Sequence, residues 1–402
     1  MLGKPWRVPA QRVRRARQAH KITTFDSRKL VRIAFLCKRH YTGKDVILDR
    51  YGRLYQLATQ LALLGHEVRA WCMDYRTRAD GTWRHDAQGE SLAWTSRGVG
   101  GPAIQRLVTT PHWLQKQLAT FHPQLLIGSS DIPHVAMAAW LSRRLGVPYV
   151  VDLYDNFESF AQARIPGFRS LLRHSVRGAK LVLTVSGALQ LKVVQDYAPS
   201  NPVLNLPNGV DTSVFCPGDR PEARRALALP TSARLIGTAG ALSRAKGVDT
   251  LYLAWRQIEA ASDDVHLVLA GPVERGFPPP EGPRVHYLGE LPENLVAQLF
   301  RALDVGVIPM VDSAFGRYCF PQKAYEMLAT GLPVAVARVG EMATLFKATP
   351  QIMFDPSDAD DLKRKIGMLI SHPVSPRVPA RTWAELMKDI EPALKEAARP
   401  FQ

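Results

Sequence analysis

The chain has 402 residues, of which 46% are hydrophobic and 22% are charged, and its formal net charge is +16. This length and composition predict a globular protein of two or three domains. No apolar run approaches the roughly 18 residues of a membrane-spanning helix, and no apolar signal core opens the chain. The four cysteines are widely spaced without a Cys-x-x-Cys pair, which argues against a disulfide framework or a zinc site. We therefore expect a cytoplasmic protein with reduced thiols.

More than half of the positive charge lies at the N-terminus. Residues 1–32 contain ten Lys or Arg and one acid, Asp26, which gives this segment a net charge of +9. Such an arm is a solvated disordered tail, or it attaches to anionic lipid at roughly 1 kcal/mol per basic residue, or it binds RNA. Aromatic residues do not interleave with its charges, so that nucleic acid is the weakest of the three alternatives.

From Val31 onwards, short aliphatic runs alternate with longer amphipathic stretches, which predicts parallel sheets covered by helices. The first half is predicted to contain strands at 31–36, 67–71, 125–128, 149–153 and 181–185, a helix from Tyr51 to Leu64, and helices in the remaining gaps. A short strand and a turn then lead into a polar stretch, rich in Pro and Arg, that ends near Arg234. This composition is typical of a linker.

A second alternation follows the linker. It predicts strands at 235–239, 266–270, 285–288, 305–309, 334–337 and 351–354, with helices from Asp249, from Glu293 and after Pro321. Asp358 and Asp360 are interpreted as the start of a helix and not as a metal site. The tail carries Trp383, Leu386, Met387 and Ile390 at helical spacing and predicts an amphipathic helix, which Pro392 is expected to kink or end.

One helix of the second half begins with a cation. Residues 320–334 read Phe-Pro-Gln-Lys-Ala-Tyr-Glu-Met-Leu-Ala-Thr-Gly-Leu-Pro-Val, which predicts a helix between Pro321 and Gly331. Lys323 falls in the first turn, where the helix dipole disfavours a cation, so that a nearby anion is expected. Glu326 follows on the same face. The alternative, an exposed salt bridge between these two side chains worth about 0.3 kcal/mol, leaves the position of the cation unexplained.

Two more segments complete a pattern. Residues 207–217 read Pro-Asn-Gly-Val-Asp-Thr-Ser-Val-Phe-Cys-Pro, and residues 240–249 read Gly-Ala-Leu-Ser-Arg-Ala-Lys-Gly-Val-Asp. With the segment 320–334 they resemble, in order, the interdomain connection, the phosphate loop and the Pro-x-Lys-x-x-Glu helix of the family 4 glycosyltransferases, the glycosyl transferases group 1. The resemblance implies an α/β GT-B fold over about residues 31–396, in which two doubly wound Rossmann-like domains face each other across a cleft.

The resemblance also implies a domain organisation. A basic arm, 1–30, precedes an acceptor-binding domain, 31–205, and a nucleotide-sugar-binding domain, 206–375, follows. Residues 376–402 form the C-terminal helix that crosses back to the first domain. In such enzymes a nucleotide diphosphate sugar, here most simply a UDP- or GDP-sugar, is the donor substrate, and we expect neither a cofactor nor a metal. By position in the motifs, the donor is expected at Gly52, Gly240, Arg244, Lys246, Gly271, Leu291, Lys323 and Glu326.

The chain departs from the family pattern in both halves. Ala241 replaces the usual arginine of the phosphate loop, so that Arg244 is expected to supply that charge, and Tyr318 stands where a larger branch has its first glutamate. In the first domain, Tyr154 replaces a common histidine. Acceptor recognition or proton removal is therefore assigned to Asp155 or Glu158, with capping of a helix N-terminus as the alternative for the acids of this loop.

The function implied is a hexosyltransferase-like enzyme. It moves a sugar to a glycan or lipid-linked acceptor, with retention of configuration, in polysaccharide or glycolipid biosynthesis. The basic arm is consistent with a peripheral position at the inner membrane face, whereas nucleic acid is not expected as a partner. The alternatives are a nucleotide sugar epimerase of the same fold and a non-catalytic membrane-associated scaffold, which would bind nucleotide sugar without turnover.

Overall fold

The computed structural model of the chain describes residues 30–41, 43–78, 80–87, 90–100, 104–376 and 378–400. The basic arm, residues 1–30, lies outside the described residues apart from Leu30, so that its role stays a prediction. Residues 31–402 form one compact unit built around two sheets. Among the described helices, none is long and apolar enough to cross a bilayer.

The first half of the chain forms an eight-stranded sheet and a small hairpin. The strands are β1 (Arg32–Lys38), β2 (His40–Tyr41), β3 (Lys44–Asp45), β4 (Glu67–Asp74), β5 (Gly81–Ala87), β6 (Glu90–Gly98), β7 (Leu125–Gly128), β8 (Tyr149–Leu153), β9 (Leu181–Thr184) and β10 (Val203–Asn205). The sheet order is β10-β9-β8-β7-β1-β4-β6-β5, and β2 pairs with β3 alone. The helices are α1 (Gly52–Leu63), α2 (Ile104–Phe121), α3 (Ile132–Leu145), α4 (Phe168–Arg177) and α5 (Gly187–Lys192).

The expectation that only helices fill the gaps of the first half is wrong between β4 and β7. There, β6 joins the sheet parallel to β4, and β5 returns antiparallel to it as the edge strand. The physical reason is an alternating pattern. Leu92, Trp94 and Ser96 of β6 are buried while the residues between them are partly exposed, as in a strand that covers a core with one face. The Tyr55 ring of α1 stacks on Trp94 at 5.9 Å between centroids.

The second half forms a six-stranded parallel sheet. Its strands are β11 (Arg234–Ala239), β12 (Val265–Ala270), β13 (Val285–Tyr287), β14 (Val305–Ile308), β15 (Val334–Ala337) and β16 (Met353–Phe354), in the order β13-β12-β11-β14-β15-β16. The helices are α6 (Arg220–Ala226), α7 (Val248–Glu259), α8 (Glu293–Ala302), α9 (Gln322–Ala329), α10 (Gly340–Leu345), α11 (Ala359–Ser371) and α12 (Trp383–Ala397). Asp358 accepts a hydrogen bond from the Asp361 N–H and caps α11, which confirms the predicted helix start.

The last helix, α12, packs against α1 and the strands β8 and β9 of the first sheet. The predicted return of the C-terminal helix is therefore confirmed. Pro392 does not end the helix, because α12 continues to Ala397. A capping box between Thr382 and Glu385 fixes its start. Burial of its apolar stripe against the first half outweighs the one backbone hydrogen bond that Pro392 cannot donate.

Both sheets have a point where the chain order reverses. In the first sheet β1 lies between β7 and β4, and in the second β11 lies between β12 and β14. Doubly wound sheets bind ligands at such points, beyond the carboxyl ends of the strands. The loops after β1, β8, β11 and β12 are therefore where the side chains of a functional site should gather.

Candidate functional site

The backbone after β11 crosses the backbone after β12 at very short range. Gly240 and Gly271 follow these strands with φ angles of +107° and +125°. A Cβ atom on Gly271 would lie 2.2 Å from the Gly240 carbonyl oxygen, so that no side chain fits there. The Tyr287 hydroxyl donates to the Gly271 carbonyl at 2.9 Å. Gly271 is thus required by the backbone crossing, whereas the missing side chain of Gly240 leaves space beside the Lys323 ammonium group.

Lys323 reaches this space from the first turn of α9. Its Nζ lies 3.5 Å from Thr238 Oγ1, and a Cβ atom on Gly240 would be 3.6 Å from it. The salt bridge that was the alternative explanation does not form, since no ion pair within 4.0 Å joins Lys323 to Glu326 in the part of the chain that the structure describes. Two residues predicted from separate motifs, Gly240 and Lys323, thus lie together.

Lys246 brings a second cation to the same place. Burial, and then the positive charge of Lys246, lower the pKa of Lys323 to about 8. Lys246 Nζ lies 3.7 Å from the centroid of the Phe315 ring, and burial lowers its pKa as well. Neither ammonium group makes an ion pair with a carboxylate within 4.0 Å among the described residues. Two repelling, half-buried cations without a close ion-pair partner favour the binding of an anion.

Arg244 is arranged differently from Lys246, although both are on the loop between β11 and α7. Its guanidinium lies 4.5 Å from the centroid of the Phe277 ring, and its backbone N–H donates to Glu274 at 2.8 Å. The side chain is exposed. The expected contact of Arg244 with the donor stays a prediction, since the described contacts of this residue are with Glu274 and Phe277.

Glu326 is on α9, one turn after Lys323, and Leu291 precedes α8. Burial, and then repulsion from Glu293 at the start of α8, raise the pKa of Glu326 to about 7. Leu291 is two residues before Glu293 and is half-buried against the core. A buried carboxyl group that is easily protonated is suited to hydrogen bonds with hydroxyl groups. The described residues hold no cluster of three or more His, Cys, Asp or Glu side chains that could bind a metal ion.

Gly52 begins α1 with a φ angle of +74°, at the end of the loop that follows β1. A Cβ atom there would lie 2.8 Å from Cδ1 and Cε1 of Tyr41, because the tyrosine ring covers this glycine. The Tyr41 ring also meets the Tyr154 ring edge to face, at 5.0 Å between centroids. A ligand that contacts the Gly52 backbone, as predicted, therefore has to displace the Tyr41 ring or stack on it.

Asp155 follows β8 and faces the cations of the second half. Its side chain is 8% exposed, and burial raises its pKa to about 6, opposed by the Asn156 N–H and by the charges of Lys246 and Lys38. The attraction between Asp155 and Lys246 acts between the two halves of the chain at this point. A carboxyl group that titrates near neutrality in such a place is a candidate for proton transfer.

Lys38 was missed in the sequence, although it ends the buried strand β1. Its Nζ lies 5.7 Å from the centroid of the Tyr154 ring and 5.9 Å from that of Phe160. Burial lowers its pKa, against the charges of Asp131 and Asp155. The available signal was its position directly after a strand in a doubly wound sheet, where ligands bind.

Glu158 has a different environment from Asp155. It accepts a hydrogen bond from Arg173 at 3.0 Å and pairs with Lys192 at 3.4 Å. Although burial alone raises the pKa of Glu158, these two cations outweigh it and the pKa is lowered. Glu158 is thus a fixed anion that takes up a proton less readily, and Asp155 is the stronger candidate of the two acids predicted to act on the acceptor.

We expect transfer activity to fall as the pH drops through about 6, since Asp155 is then protonated. A carboxyl group with an ordinary pKa would produce this decline about two pH units lower. In Asp155→Asn the decline should disappear from the profile of kcat/KM against pH. Asp263→Asn, which changes a fully exposed carboxylate, serves as the control and should keep it. A decline near pH 6 that persists in Asp155→Asn would assign it to another group.

Sequence models of two families match most of the chain. "Glycosyl transferase 4-like domain" matches residues 53–209, and "Glycosyl transferases group 1" matches residues 233–372. The D-inositol 3-phosphate glycosyltransferase of Stackebrandtia nassauensis is 30% identical over 286 residues, which are 66% of this chain and 61% of that protein. A second relative, from Corynebacterium urealyticum, is matched over 65% of its length. The chain thus spans less than two thirds of these relatives.

Solved structures share the fold over nearly the whole chain. Sucrose-phosphate synthase from Thermosynechococcus elongatus superimposes with a TM-score of 0.68 at 18% identity, over 91% of this chain and 97% of that one. The Anabaena protein HepE in complex with UDP-glucose gives a TM-score of 0.66 at 18% identity, over 92% and 98%. At this identity the likeness concerns the fold alone, and it confirms the predicted GT-B architecture.

Proposed function

The chain belongs to the glycosyl transferases group 1, and on this basis we propose that it transfers a sugar from a nucleotide diphosphate sugar to an acceptor. The observation that carries the proposal is the pair Lys246 and Lys323. They come from two segments 77 positions apart in the sequence, yet they lie close enough for one charge to lower the pKa of the other.

These two ammonium groups lie beside the first turn of α9 and the open Gly240 loop. Helix N-termini and turns of this kind point backbone N–H groups towards phosphate. A diphosphate bound there would neutralise the repulsion between the lysines. The two lysines would also stabilise the negative charge that builds up on the leaving diphosphate during transfer.

The donor is proposed to be a UDP- or GDP-sugar. HepE was solved with UDP-glucose, which supports a UDP-sugar as the first donor to test. The acceptor is proposed to be a glycan or a lipid-linked sugar that enters from the side of Lys38 and Asp155, and the configuration of the donor sugar is proposed to be retained. Asp155 would accept the proton of the attacking hydroxyl group or hold that group in place.

The pH dependence of UDP binding tests the proposal. Because the pKa of Lys323 is about 8, its charge is present below this pH and is lost above it. We expect the Kd of UDP, measured by isothermal titration calorimetry, to rise as the pH increases beyond about 8. In Lys323→Arg this rise should be absent, since a guanidinium stays charged.

Lys347→Met is a suitable control, since Lys347 is an exposed lysine of the same half of the chain. This variant should bind UDP like the wild type at each pH. If neither UDP nor GDP binds the wild-type protein, and no sugar passes from their glucose or mannose conjugates to any acceptor, the proposed function is wrong.

A further inference from the structure

A cavity of about 330 Å³ lies where residues 156–192 of the first half meet residues 314–318 of the second. Its charged lining consists of Glu158, Arg169, Lys192 and Arg317. Tyr318 also lines it, and the Tyr318 ring lies 5.8 Å from Lys192 Nζ. Lys246 and Lys323 are not among its lining residues, so that the cavity is separate from the proposed diphosphate site.

The cations of this cavity differ in how well they are neutralised. Arg317 forms two hydrogen bonds with Asp312, at 2.5 and 3.0 Å, and Lys192 pairs with both Glu158 and Asp196. Arg169 is exposed and makes no ion pair or hydrogen bond with any residue that the structure describes. One arginine fork is therefore available to a ligand.

One segment beside the cavity has a single sign of charge. Residues 160–195 contain six Lys or Arg and no Asp or Glu. Glu158, the one acid among the described lining residues, is held by Arg173 and Lys192. With Arg169 unpaired among the described residues, a net positive charge remains at the cavity, which attracts anions and raises their local concentration.

Contacts between the two halves fix the walls of the cavity. Ser186 Oγ donates to the Tyr318 carbonyl oxygen at 2.6 Å, and the Gly187 N–H donates to Glu341 at 2.9 Å. Asn156, the residue that follows Asp155 in the chain, is among the lining residues of the cavity. The cavity thus begins one residue along the chain from the carboxyl group that is proposed to hold the acceptor hydroxyl.

We propose that this cavity binds an anionic group of the acceptor, a phosphate or a carboxylate, through Arg169 with Lys192 and Arg317. The inference rests on the proposed function, because it places the acceptor next to Asp155. Arginine binds both kinds of oxyanion through two parallel N–H donors. The cavity thus selects acidic acceptors over neutral ones of the same size.

The experiment fills the donor site with UDP and then titrates three small probes: inorganic phosphate, glucuronate and neutral glucose. We expect one or both anions to bind, glucose to bind at least tenfold more weakly, and Arg169→Met to weaken anion binding at least tenfold. The preferred anion distinguishes phosphate from carboxylate. Arg164→Met removes an exposed arginine of the same segment that does not line the cavity, and it should bind like the wild type.

Anion binding that is equal in Arg169→Met and wild type, or no anion binding at all, overturns the proposal. The UDP step reports separately on the proposed function. If neither UDP nor GDP binds and no sugar is transferred from their conjugates, that function fails, and the anion titration without nucleotide still shows whether Arg169 holds an anion. Arg169 is exposed, so that its replacement should leave the fold intact, and an unchanged melting temperature checks this.

Discussion

Replacement of Lys323 by methionine is expected to lower kcat/KM for sugar transfer by about 10²–10³-fold, the usual effect of removing one group that stabilises charge in a transition state. Methionine keeps most of the length of the side chain and removes the charge. The ammonium group lies beside Thr238 and Gly240, where the diphosphate is proposed to leave. Initial rates of UDP release at varied donor concentration measure the effect.

Two further variants separate charge from packing. Lys323→Arg should recover part of the rate, and Lys347→Met should leave it unchanged. In Lys246→Met we expect the pKa of Lys323 to rise from about 8, because Lys246 is the nearby charge that lowers it. The effects of the two lysine variants should therefore not add, as is usual for groups that interact. A rate in Lys323→Met within threefold of the wild type would remove this residue from the site.

The strands were predictable where they are fully buried. Tyr149–Leu153 and Val334–Ala337 have the predicted bounds, because continuous aliphatic runs between turn residues leave few alternatives. The pair β5 and β6 was missed, since a half-buried strand in which Trp and Leu alternate with polar residues carries a weaker signal. The expectation that Pro392 ends the helix was wrong, because tertiary burial of α12 overrides a local helix breaker.

The candidate site was predictable to the extent that its charges stand in local motifs. Lys246 and Lys323 can be identified in the sequence because each places a positive charge in a turn or at a helix start, where the local structure does not require one. The repulsion between them, and the attraction of Lys246 to Asp155, depend on how the fold brings distant segments near each other. Lys38 and Arg169 are in no motif. Their proposed roles depend on which side chains lie near them in the folded chain.

The most important ion pair of the first half was also hidden in the sequence. Arg53 and Asp152 are both fully buried, and Arg53 Nη2 lies 2.6 Å from Asp152 Oδ1. Ser129 Oγ donates to the same carboxylate at 2.7 Å. Arg53 also donates to the Leu206 carbonyl oxygen at 2.8 Å, which ties α1 and β8 to the connection between the two halves. Asp152, which is buried in β8, thus has a structural role.

Asp152→Ala is expected to lower the free energy of unfolding by about 3–5 kcal/mol, because it leaves the Arg53 guanidinium buried without its counter-ion. The urea midpoint, followed by circular dichroism, measures this change. Glu67→Ala is the control, since the ion pair of Glu67 with Arg69 is exposed and should contribute about 1 kcal/mol or less.

The double variant Arg53→Met, Asp152→Leu tests the physical reason. If the loss in Asp152→Ala comes from an uncompensated buried charge, replacing both partners by apolar side chains of similar volume should restore most of the stability. If the double variant is as unstable as Asp152→Ala, the stabilisation comes instead from the hydrogen bonds of Arg53 to the connection between the halves. In that case Arg53→Met alone should be equally unstable, and small-angle scattering should show a change in how the two halves are held together.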